Sequence, residues 1–239
     1  MSFYSLVKNK GLKYSISVAL NVVGCNMFIA RERILNNTSD KNTFSQHAED
    51  LFIDRMLKHK SEGFYIDIGA NHPVTLNNTK RFYDRGWAGV NVEPNNRLWQ
   101  AFNEQRPRDL NLNVGVGNEK GGMEFYIFER DTLSTFSKSE ADMLSASGEK
   151  LKEKLNIEVI ALSDIFEKIQ RNYVDFISID TEGWDEKVLR SNDWTKNRAG
   201  LICVEKNKSE GLKKFFSEIG YKYLGTNGLN DFYLDYQNK

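Results

Sequence analysis

The chain has 239 residues, 40% of them hydrophobic and 28% charged, which suits one full α/β domain of ordinary soluble composition. Lysine plus arginine equals aspartate plus glutamate at 33 each, which argues against wholesale nucleic-acid binding for lack of excess positive charge. Two cysteines, Cys25 and Cys203, are too few for a disulfide scaffold and fit a reducing, cytoplasmic setting.

Residues 1–35 stand apart, carrying Lys8, Lys10, Lys13, Arg31 and Arg33 against one acid, Glu32. The apolar stretch between them, "ISVALNVVGCNMFIA", is broken by Asn21, Gly24 and Asn26. That makes it too short and polar for a membrane span, and it has no convincing signal-peptide cleavage site. It is expected to form a helix packed on the domain or on a second copy in a homodimer. Its basic flank leaves weak attachment to an anionic membrane as the alternative. "NNTSDKNT" then reads as a linker, giving an extension over 1–43 and a domain over 44–239.

From Ser45, a good N-cap, "QHAEDLFIDRMLKH" predicts a helix with Ala48, Leu51, Phe52 and Met56 on one stripe and Glu49 and Asp50 at its positive end. Short apolar runs then predict strands at 64–68, 88–93, 110–116, 174–180 and 200–205. Helical patterns near 75–85, 96–105, 138–155, 161–171, 184–191 and 209–219 separate them. This rhythm implies right-handed βαβ crossovers and a parallel, doubly wound, Rossmann-like sheet. The polar stretch 129–150 is expected to be a lid or a solvated insertion. At the end, "YKYLGTNGLNDFYLDY" places two alternating runs around Asn227-Gly228, the signal of an antiparallel hairpin.

Such sheets bind ligands beyond the carboxyl ends of their strands. There the sequence places Asp67, Gly69, Asn71 and His72, then Glu93, Pro94 and Asn95, then Asn113, Gly115 and Gly117, then Asp180 and Glu182, and finally Glu205. Acids at four strand ends are poor core residues, so they point to a site. In "GFYIDIGANHPVT" the glycine turn offers only Gly69 where a dinucleotide fingerprint wants three glycines, and Asp67 would repel a pyrophosphate. S-Adenosylmethionine carries a sulfonium and an ammonium and no phosphate, so Asp67 beside the turn attracts it. Glu93, 24 residues past Gly69, would take ribose hydroxyls in either case.

The segments "FYIDIGANHPVTLNNTKRFYDRGWAGVNVEPN", "DFISIDTEGWDEKVL", "GLICVEKN" and "FSQHAEDLFI" resemble the FkbM-type family of S-adenosylmethionine-dependent methyltransferases over roughly residues 44–206. The resemblance implies a class I methyltransferase fold, mostly parallel and closed by a C-terminal antiparallel β-hairpin. It also implies O-methylation of sugars or other hydroxylated small molecules. By family analogy Gln46 reaches the cofactor's carboxylate, and Asn113 and Val114 sit where adenine lies in this fold. Many relatives carry glycine two residues after the "GAN", where this chain has His72-Pro73, which alters the loop nearest the methyl group.

Methylating a sugar hydroxyl needs a base or a metal. Asp180 and Glu182, two apart on an extended strand, would point the same way, with Glu205 beside them. Crowded carboxylates raise one pKa and make a base. His72 is a second candidate base. The same acids suit Mg²⁺ or Ca²⁺, but without a supporting ligand cluster the metal-free base is preferred and no metal residue is assigned. Trp184 reads as packing rather than a sugar platform. The expected function is O-methylation of a carbohydrate, in the form of a nucleotide-activated sugar for surface glycan or polysaccharide biosynthesis. The competing functions are a non-catalytic binding module of the same fold and, further off, a nicotinamide-dependent oxidoreductase.

Overall fold

The computed structural model describes residues 43–206 and 210–237. The N-terminal helix expected before the linker, with its membrane or dimer contacts, falls on residues 1–42 and lies outside them. In chain order the elements are α1 (Glu49–Met56), β1 (Phe64–Ile68), α2 (Lys80–Asp84), β2 (Ala88–Val92), α3 (Asn96–Gln105), β3 (Leu110–Leu112), β4 (Gly115–Val116) and β5 (Gly121–Phe128). After a 3₁₀ turn (Asp131–Leu133) come α4 (Lys138–Ala146), β6 (Leu151–Ile160), α5 (Leu162–Lys168), β7 (Tyr173–Ile179), α6 (Asp185–Arg190), β8 (Arg198–Glu205), α7 (Glu210–Glu218), β9 (Tyr221–Thr226) and β10 (Asn230–Asp235).

A seven-stranded sheet runs β3-β2-β1-β7-β8-β10-β9. Its first five strands pair in parallel, while β10 is antiparallel to both β8 and β9. This is the expected doubly wound sheet closed by the hairpin. Side-chain alternation sorts residues onto two cores. Ile66, Ile68, Ile177, Ile179, Ile202 and Val204 face one, with Val159, Leu162 and Phe166 packed over them. Tyr65, Phe176, Leu201, Cys203 and Phe232 face the other, covered by Phe52, Ile53, Phe82 and Trp87. Cys203 is accordingly a buried core residue, its thiol pushed up chiefly by burial.

Several expected boundaries are corrected. The strand expected over 110–116 breaks at Asn113, and β4 leaves the main sheet for a second one ordered β4-β6-β5. The helix expected over 138–155 ends at Ala146, with Gly148 at φ +97 in the turn after it. The chain then enters β6, where Leu155, Ile157 and Val159 turn inward at period two, a spacing no helix can bury on one face. Its antiparallel partner β5 was not foreseen. The first helix begins at Glu49 rather than near Gln46, because Ala48 at φ 63 breaks the helical path. Ser45 still bonds to the helix start, its Oγ accepting from Asp50 N at 2.8 Å. The buried stripe is Ala48, Phe52 and Ile53, with Leu51 and Met56 half-buried. The helix near 75–85 shrinks to Lys80–Asp84, because residues 71–79 form a turn with Asn71 and Leu76 both left-handed.

Candidate active site

Strand order reverses between β1 and β7, and at their carboxyl ends a cleft encloses about 930 Å³ of empty space, the open solvent at its mouth included. The first turn after β1 folds back on β2, with Gly69 N and Ala70 N both donating to the Val92 carbonyl. Gly69 has φ +75, and a Cβ there would stand 1.8 Å from the Asp180 carbonyl oxygen. Asp180 N in turn donates to the Ile68 carbonyl at 3.0 Å. The two strand ends therefore touch through a position only glycine can fill.

On the β1–β2 side the acids are held. Glu93 is buried, and its two oxygens accept from Asn71 N and Asn95 N, each at 2.8 Å. Burial pushes it up to about 8, although those two N–H donors pull the other way. Each oxygen keeps a lone pair for a ligand hydroxyl. Asp67 is also buried, its Oδ2 accepting from Thr79 Oγ1 at 2.8 Å and Asn77 Nδ2 at 3.3 Å. Burial raises it to about 6, against the pull of Thr79 and Arg106. Asn71 and Pro94 line the cleft beside them, and Val114 and Val116 supply an apolar wall. Asn113 does not line it; its Nδ2 donates to the Glu93 and Pro94 carbonyls and so fixes the Glu93 turn from behind. Gln46 lines the cleft from the segment before α1, whose Thr43, Phe44 and Ser45 all bond to the Asp50 carboxylate.

On the β7–β8 side the acids are crowded instead. Strand β7 stops at Ile179, and Glu182 takes φ 51, so Asp180 and Glu182 do not share a face by strand alternation as expected. Both nevertheless line the cleft. Pairing of Ile179 with Val204 brings Glu205 alongside Asp180. Asp180 is pushed well above the usual carboxylate range, first by burial and then by Glu182 and Glu205. Although protein surrounds it, its side chain stays open to solvent in the cleft, which moderates that rise without reversing it. Glu182 is raised to about 8 and Glu205 to about 7, again by burial first and neighbouring carboxylates second.

His72 is not among the lining residues. Its Nδ1 accepts from Val74 N and Thr75 N at 3.1 and 3.2 Å, so the ring caps the turn and the second-base expectation is not supported by its placement. Trp184 is buried, and its Nε1 has no hydrogen-bond partner among the described residues. A third wall comes from Phe125 on β5, which was not foreseen, and from Asp131, Thr132, Ser134 and Phe136 in the stretch expected to be a lid or a solvated insertion. That stretch borders the cleft, as a lid would, and is tied down at Thr135. Thr135 pairs with Tyr126, and its Oγ1 donates to the Glu182 carbonyl at 2.8 Å. The run "FYIF" after Gly121-Gly122 was the available signal. Ser178, Asn77 and Asn78 also line the cleft without having been foreseen. Among the described residues, no group of three or more His, Cys, Asp or Glu is arranged to hold a metal ion.

The arrangement fits S-adenosylmethionine better than a dinucleotide. Close backbone approach at Gly69, a buried acid with free lone pairs at Glu93 and an apolar wall beyond it suit a nucleoside with a cationic tail. Among the described residues the lining contains five carboxylates and no lysine, arginine or histidine to neutralise a pyrophosphate. No curated protein matches the chain significantly. One similar solved structure is an O-methyltransferase from Bacillus cereus in complex with SAH. It shares 13% identity at a TM-score of 0.36 over 90% of each chain, too distant a likeness to carry an inference. The family model for the methyltransferase FkbM domain matches residues 67–223, well over half of the sequence and spanning both sides of the cleft. The chain belongs to the FkbM family of S-adenosylmethionine-dependent methyltransferases.

Proposed function

We propose that this protein methylates a hydroxyl oxygen of a carbohydrate, with Asp180 and Glu182 taking the hydroxyl proton. The supporting observation is the trio Asp180, Glu182 and Glu205, crowded at the ends of β7 and β8 with their proton affinities raised. When bound, the cofactor supplies a methyl group already activated on a sulfonium. The protein's share is to hold the acceptor oxygen in line and remove its proton. A hydroxyl is a weak acid, so a carboxylate of raised pKa accepts its proton better than an ordinary one. Glu93 would hold the ribose, and Val114, Val116 and Pro94 the adenine, across Gly69 from the acids. Phe125 and Phe136 offer apolar surface for a sugar face.

The nucleotide-activated form of the sugar finds less support. Among the described residues the lining offers carboxylates and no cation to partner a diphosphate. A sugar unit on its way into a surface polysaccharide satisfies the same chemistry. A non-catalytic module would have no use for crowded acids, each of which costs stability when ionised.

The test is calorimetric titration with S-adenosylmethionine, S-adenosylhomocysteine and NADH. Transfer of labelled methyl groups to neutral and phosphorylated sugars is then measured, with and without Mg²⁺. Micromolar binding of the first two ligands and labelling of a neutral sugar are expected. Cofactor binding without labelling of any hydroxyl compound would sink the catalytic reading.

A further inference from the structure

Arg106 comes directly after the last turn of α3, outside the cleft lining, with no surface exposed. Its Nε donates to the Pro73 carbonyl at 2.9 Å, and its Nη2 reaches the same oxygen and Asn77 Oδ1, at 2.5 and 2.7 Å. Its Nη1 donates to Thr79 Oγ1 at 2.7 Å. Phe102 and Tyr83 place their rings 5.3 and 5.4 Å from the guanidinium. A buried arginine is costly unless its fork is filled, and here it is filled almost wholly by one loop. That loop, residues 73–79, contributes Leu76, Asn77 and Asn78 to the cleft. Its Thr79 and Asn77 are the two groups that bond Asp67 Oδ2. Asp67 Oδ1 takes no hydrogen bond from the described residues, and Asp67 lines the cleft.

We propose that Arg106 is a positioning residue for the methyl donor, acting through Thr79 and Asn77 to set the loop against the cleft and to keep Asp67 an anion toward a cationic ligand. This rests on the cofactor lying in the cleft as described. The charged groups around Asp67 are Arg106, which favours its anion, and Asp109, which opposes it. Asp67 also acts on Glu93, Tyr65 and Cys203. Of these, Glu93 is pushed up to about 8, chiefly by burial, while Asp67 is raised to about 6. Losing the guanidinium, or the hydroxyl that relays it, moves the Asp67 window upward.

The experiment measures the dissociation constant of S-adenosylmethionine across pH for the full chain and for Thr79→Val, Arg106→Lys and Arg106→Gln. Wild-type affinity should weaken as pH falls through about 6, where Asp67 takes up its proton. In Thr79→Val and Arg106→Gln the midpoint should rise by about one pH unit. Affinity would then be about twofold lower at the new midpoint, approach a tenfold deficit below the old one, and recover at higher pH. Arg106→Lys, which keeps the charge but not the fork, should shift the midpoint less. A loss equal at every pH would mark Arg106 as merely structural and overturn the proposal. So would a wild-type profile flat through the Asp67 window. If Arg106→Gln fails to fold, the wild-type profile and Thr79→Val still decide. Absence of S-adenosylmethionine binding at any pH would instead remove the cofactor reading itself, and is distinguishable from binding with a flat profile.

Discussion

The two banks of the cleft carry the same kind of residue in opposite states. On the β1–β2 bank each acid is anchored: Glu93 by two backbone N–H groups, Asp67 by Thr79 and Asn77. On the β7–β8 bank Asp180 and Glu182 have no ion-pair partner among the described residues; Glu182 raises the proton affinity of Asp180, and Glu205 raises that of both. An anchored carboxylate holds a ligand in a fixed pose. An unanchored one, short of counter-charge, is free to exchange a proton. Under the proposed function, recognition falls to the first bank and chemistry to the second.

The hardest way to break this division is at the glycine that joins the banks. Gly69→Ala would drive a Cβ into the Asp180 carbonyl and strain a φ of +75, so strand β7 must move away. S-Adenosylmethionine affinity should fall by about a hundredfold or more, read by calorimetry, with circular dichroism checking that the fold survives. Next comes the comparison of acids across the banks. Asp180→Asn should lower kcat by roughly a hundredfold and leave cofactor affinity nearly unchanged. Glu93→Gln should weaken cofactor binding by about tenfold with a smaller effect on kcat. Equal effects of both substitutions on both constants would erase the distinction between the banks.

The smallest effect is on stability. Glu182, Glu205 and Glu93 hold protons in the folded protein between their ordinary 4.5 and about 7 or 8, where the unfolded chain has already released them. The folded state then binds more protons, so stability declines as pH rises through that range. The melting temperature of the ligand-free protein should fall by a few degrees between about pH 5 and about pH 8.5. Glu182→Gln should flatten part of that slope. Rising stability over the same interval would mean the open bank is compensated in solution.

Most of the main sheet was legible because its strands are short apolar runs flanked by helical patterns, and Asn227-Gly228 announces the hairpin. The β1–β2 bank was legible because a glycine turn and a strand-end acid lie close together in sequence. The features that escaped depended on partners that residue type and spacing do not reveal. β6 is rich in Lys and Glu, which hides the alternation of Leu155, Ile157 and Val159 that its pairing with β5 and β4 brings out. His72 was misjudged because its nearest partners are its own loop's N–H groups, which the residue type alone does not reveal. Arg106 carries no pattern at all, since its role depends on a carbonyl 33 positions earlier.

The bond from Thr135 to the Glu182 carbonyl bears on how acceptor range could change over evolution or by redesign. The segment 131–136 is stapled at Thr135, both to β5 and to the turn that carries Glu182. Ser134 adds to that staple, its Oγ accepting from Phe128 N on β5 at 3.3 Å, whereas its neighbours Thr132 and Phe136 contact the cleft without a side-chain bond to β5 among the described residues. A lineage can therefore exchange those two side chains to suit a new acceptor while Ser134 and Thr135 stay fixed, separating what the enzyme accepts from how it reacts.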